Sequence, residues 1–73
     1  MGRIRQYIQD LFNQSIAALE ARDNKRAVIY ANECAYVLSE LSGKTISTKE
    51  VLAQAIIVVW ERIRSRFPSP PTA

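Results

Sequence analysis

The chain has no histidine, one cysteine and two glycines among its 73 residues, and each shortage removes a class of function. Without histidine, the usual general base near neutral pH is missing. Cys34 stands alone, so an intramolecular disulfide is impossible and a zinc site of cysteine and histidine is excluded. Gly2 and Gly43 are isolated, so nothing resembles a glycine-rich phosphate loop. Long apolar runs are also missing. The Ala55–Trp60 stretch is far shorter than the roughly 20 residues a helix needs to cross a bilayer. No signal peptide is expected, because Met1–Arg5 leads into an amphipathic segment. With a lone cysteine as well, the expected location is the cytoplasm.

What remains is a helix-favouring globular composition, with 48% hydrophobic and 23% charged residues. The length predicts one domain over residues 1–67 and a short Pro-rich tail, 68–73, that is flexible or extended. Below roughly 70–80 residues a single core seldom supplies more than about 3–5 kcal/mol. With disulfide and histidine-based metal excluded, association is the remaining source of stability.

Periodicity predicts three helices, over about 3–22, 24–42 and 48–66. On the first, Ile4, Tyr7, Ile8, Leu11, Phe12, Ser15, Ala18 and Leu19 share one face, with Ile16 at its edge. Asp23 is placed to cap a second helix, although without glycine or proline there the first helix has the alternative of running straight through. The second helix has a core face of Ala27, Tyr30, Ala31, Cys34, Leu38 and Leu41, and its small residues 27, 31 and 35 permit a close helix approach. Ile29 and Tyr36 lie on its opposite side, either as scattered exposed residues or as a second contact strip. Gly43 is a C-cap, and Ser47 with Glu50 forms a capping box flanked by an Ile46–Val51 hydrophobic staple. Pro68 stops the third helix. Tight connections then give an all-α, antiparallel three-helix bundle.

The third helix is apolar on more than one side. Val51, Leu52, Ala55, Ile56, Val59 and Ile63 form a stripe, Ala53, Ile57 and Trp60 extend it round the far side, and Val58 widens the other edge. A helix apolar almost all round is buried on most sides, and this chain has little material to bury it. The expected protein interface is therefore Val51, Ala55, Ile56, Ile57, Val59, Trp60 and Ile63, with Ile29 and Tyr36 as the second strip, and the bundle is expected to be completed by dimerisation through this helix.

The carboxylates sit mostly on polar faces, and Cys34 lies on a core face where a thiol is inert. An enzyme built across a dimer interface would need inward charges, for which only Arg5 and Arg62 are placed. No enzyme activity, cofactor, metal or small-molecule substrate is expected. The net charge is +3. In an up-down-up bundle, Arg22, Lys25, Arg26, Arg62, Arg64 and Arg66 gather at one end. They serve either as an anion or nucleic-acid patch, or as helix-terminal charges whose stems cover apolar surface.

Two segments resemble known families. Ala18–Ala35 is similar to the helix–turn–helix of tetratricopeptide-type units and small helical secretion chaperones, on Ala18, Leu19, Asp23, Ala27, Tyr30 and Ala31; the repeat's tryptophan and glycine positions are missing. Gly43–Val51 resembles the loop and helix start that closes a histone fold, which implies a handshake dimer and DNA contact. The chain departs from that fold in having no long loop between a short first helix and a long second one, and in a third helix that is too long. Each covers less than a third of the chain. The expected function is a non-enzymatic helical interaction module of adaptor, chaperone or inhibitor type, acting as a homodimer or on a partner protein. The alternative is a nucleic-acid-binding regulator that uses the arginine-rich end.

Overall fold

The computed structural model describes residues 2–66 and is all-helical over them. Helix α1 spans Gly2–Glu20, α2 Asn24–Ser42 and α3 Thr48–Arg66, each 19 residues long and packed against both others. The equal lengths depart from the short–long–short pattern of a histone fold. The expected tail at 68–73 lies outside the described residues. Among the described residues, no helix is long and apolar enough to cross a membrane.

The helix boundaries follow from local capping. The first helix ends at Glu20, two residues earlier than expected, because Arg22 enters the left-handed region at φ 61°. The Asp23 N–H then donates to the Ala18 carbonyl at 2.8 Å and the Arg22 N–H to that of Leu19 at 3.0 Å, the paired bonds of a Schellman cap. Asp23 also begins the next helix. Its carboxylate accepts from the Arg26 N–H at 3.1 Å, so the chain breaks here and does not run through. At the far end of α2, Gly43 (φ 71°) donates its N–H to the Ser39 carbonyl at 3.0 Å. Ser47 caps α3 by accepting from the Glu50 N–H at 3.2 Å. Ile46 packs against the core cluster that contains Val51, as the staple requires.

The core is made largely of small side chains. Ala27, Ala31 and Ala35 of α2 are buried, as are Ser15 and Ala18 of α1. Ser15 is fully buried and donates its hydroxyl to the Ala27 carbonyl at 2.9 Å. Hydroxyl and methyl groups at this crossing let the two backbones approach closely, and the hydrogen bond satisfies the only buried polar side chain among the described residues. Leu11, Cys34 and Val51 join the cluster, with Ile8, Phe12, Leu38 and Leu52 packed around it.

The third helix is staggered along the second. Thr48 Oγ1 donates to Asn32 Oδ1 at 2.8 Å, and Ser39 Oγ accepts the Ile46 N–H at 2.8 Å. The start of α3 therefore sits part-way along α2. From that contact, eight residues of α2 remain towards Asn24, while α3 continues for eighteen to Arg66. Helix α1 ends beside Arg62, whose guanidinium donates to Glu20 at 3.3 Å. The last turns of α3 thus overhang the hairpin. At the opposite end, Leu41 lies past the start of α3, and Ile4 and Tyr7 lie in the first turns of α1. All three, expected in the core, are exposed for lack of anything packed over them.

Three substitutions at two positions test these contacts by thermal unfolding. Arg22→Gly removes a left-handed side chain that costs about 1–2 kcal/mol, against a glycine entropy cost of roughly 0.5–1 kcal/mol, and should raise stability by a few tenths to about 1 kcal/mol. Ser15→Ala should cost about 1 kcal/mol, and Ser15→Leu clearly more because it overfills the crossing. Equal effects of the two Ser15 variants would mean that the close approach contributes nothing.

Candidate interaction surface

The side of α3 facing its own hairpin is narrow. Only Val51 and Ala55 are buried, with Leu52, Val58 and Val59 half-buried. These two buried residues fill the chain's own core and are not available to a second protein, which narrows the expected interface. Ile56, Ile57, Trp60 and Ile63 remain 47%, 47%, 62% and 46% exposed. At about 100° per residue, Ala53, Ile56, Trp60 and Ile63 form a ridge on the side opposite Val51 and Ala55. The expected stripe therefore divides in two, with Ile56 and Ile63 belonging to the outer ridge. That orientation explains the exposure, since the ridge faces away from the hairpin that covers Val51 and Ala55.

The second strip stands out from α2. Ile29 is 63% and Tyr36 61% exposed, and Val28, which the sequence did not single out, is nearly half exposed. The Thr48–Asn32 bond places Val28 on the α3 side. One turn back from Asn32 on α2 and one turn forward from Thr48 on α3 run in the same direction, because the helices are antiparallel. Val28 is thereby brought towards Leu52 and Ile56. Spacing alone did not reveal Val28, because its placement depends on the stagger.

A second apolar feature is a groove of about 330 Å³ between the three helices. Ile8, Phe12, Cys34, Leu38, Ile46 and Val51 line it, and Gln9, Glu50 and Gln54 form its rim. It holds one nucleophile. The Cys34 thiol is buried and lies 3.9 Å from the Ile8 carbonyl, and burial pushes its pKa up from the ordinary 9.0. A thiol held neutral is a poor nucleophile. Among the described residues, no three cysteine, aspartate or glutamate side chains gather closely enough to hold a metal ion.

Two ion pairs lie where α1 ends, α2 begins and α3 ends. Arg62 reaches Glu20 at 3.3 Å and Arg26 lies 3.6 Å from Asp23. Arg22, Lys25, Arg64 and Arg66 share that end and are exposed. Six cations there face the carboxylates Glu20, Asp23 and Glu61, while the four cations and four carboxylates elsewhere cancel, so the whole net charge of +3 sits at this end. Arg5, the other candidate inward charge, is exposed in the first turn of α1. Comparison with known proteins gives no match to a protein family, a curated protein or a solved structure.

The thiol supplies a check. In native protein at pH 8, Cys34 should resist a thiol reagent, and denaturant should release one reactive equivalent. Its folded pKa lies above the unfolded one, so its contribution to stability is complete below pH 9 and falls as pH rises beyond it. Cys34→Ala should flatten that alkaline decline. Rapid native labelling would show that the groove opens to solvent.

Proposed function

We propose that this chain is a non-enzymatic helical interaction module, of adaptor, chaperone or inhibitor type, that works through the outer ridge of α3 as a homodimer or against a partner protein. The observation that carries this reading is the ridge with Ile57 beside it. Trp60 is 62% exposed and Ile56, Ile57 and Ile63 are each nearly half exposed on one helix of a small domain, while that helix's other side is committed to the core. Grouped exposed apolar side chains are a feature of interaction sites, whereas scattered single ones are ordinary. Trp60 is the anchor, because large aromatics at the centre of a contact carry much of its energy. Ile29, Tyr36 and Val28 extend the surface onto α2.

A second reading rests on the charge distribution. An end that carries the entire excess positive charge suits phosphates, so a nucleic-acid-binding regulator is the alternative function. Two of its six cations are already engaged with Glu20 and Asp23, which weakens it.

Light scattering at micromolar concentration should give twice the 8.3 kDa chain mass, and the sole tryptophan's emission should shift to the red on dilution as Trp60 returns to water. Trp60→Ala should weaken association by about 2 kcal/mol or more while the diluted chain unfolds at nearly the same temperature. A stable monomer that captures no partner protein would remove this reading. For the alternative, a gel-shift titration at two salt concentrations decides: binding that weakens steeply with salt supports it, and no binding at low salt ends it.

A further inference from the structure

We infer that the outer ridge of α3 is covered by a second copy of this chain, with the two α3 helices packed antiparallel. The inference rests on the interaction-module reading and fixes both the partner and its direction. Ala53, Ile56, Trp60 and Ile63 follow one another at intervals of three, four and three residues, the spacing of a seam between two helices. The residues turned to the chain's own hairpin, Val51, Ala55 and Val58, fall on the other side of that seam, so one helix serves both contacts without competition.

Side-chain size favours the antiparallel direction. Reversed about Val58, Ala53 meets the second copy's Ile63, and Ile56 meets its Trp60, so every layer combines a larger with a smaller side chain. A parallel pair sets Trp60 on Trp60 and Ala53 on Ala53, a bulge followed by a gap, with Lys49 against Lys49 one turn earlier. Close-packed contacts penalise both.

Charge gives the same answer. Glu50 and Arg64 are each seven residues from Ile57 and share its flank of the seam. In an antiparallel pair, equivalent flanks meet, so Ile57 faces Ile57 and Glu50 of each copy faces Arg64 of the other, twice. Both side chains are exposed, and neither is in an ion pair among the described residues. A parallel pair instead gathers Arg62, Arg64 and Arg66 of both copies at the end that already holds all the excess charge, a repulsive arrangement.

Exchange of charges in trans tests the direction. Glu50→Lys alone and Arg64→Glu alone each place two like-charge contacts in an antiparallel homodimer, and each should raise the dissociation constant by about tenfold or more. An equimolar mixture of the two variants restores both attractive contacts and should recover to within about threefold of the unaltered chain. The second measurement uses cysteines in a Cys34→Ala background. Ala53→Cys mixed with Ile63→Cys should cross-link one variant to the other, since a disulfide requires the two Cα atoms to lie within about 7 Å. An unaltered dimer that shows no recovery on mixing, or that cross-links Ala53→Cys to itself, overturns the antiparallel pairing and leaves the interaction reading standing. An unaltered chain that stays monomeric at high micromolar concentration overturns the self-pairing whatever the variants do.

Discussion

The contact between Asn32 and Thr48, with the Ser39–Ile46 bond beside it, sets how far along the hairpin the third helix begins. The main features follow from that offset. It leaves Leu41 exposed at one end and carries the last turn of α3 past Glu20, the last residue of α1, at the other. The short connection from Gly43 to Ser47 holds that offset, because Ser39 accepts the Ile46 N–H just before the helix starts.

A second constraint is the size of what is buried. The fully buried side chains are small, and Cys34 and Ser15 are the largest among them. Burial of apolar surface contributes about 25 cal/mol per Å², so a core of alanines yields little per residue compared with one of leucines. Close approach of α1 and α2 compensates through dispersion contacts, which depend on the fit of Ser15 against Ala27. Such a core is intolerant of enlargement. Ile16, Leu11 and Val51 are the larger hydrophobic side chains inside it, while Ile4, Tyr7, Ile29, Tyr36, Leu41 and Trp60 stay exposed, which is why the outer surface is so apolar.

The ends of the helices were legible in the sequence because capping is local chemistry. Asp23, Gly43 and Ser47 each act on N–H or carbonyl groups within a few residues, and all three do what their residue types foretell. The exception is Arg22, whose left-handed conformation no residue-type preference signals. The division of α3 into an inner side of Val51 and Ala55 and an outer ridge was not legible. Periodicity shows that both sides are apolar, and only the packing of α3 on the other two helices decides which one is covered. For the same reason Ile29 and Tyr36 were recognisable on the outer side of α2, whereas Val28 was not.

The charge at one end gives the isolated chain an electrical polarity along its length. Half of it is neutral on balance and the other half carries +3. At physiological ionic strength the screening length is about 8 Å, well under the roughly 28 Å length of a 19-residue helix. An anionic surface within a few ångströms therefore feels mainly the end nearest to it, and it is attracted by the end that carries +3. An antiparallel pair of the kind proposed would lose this preference, because it would have like poles at its two ends and no net dipole along its length.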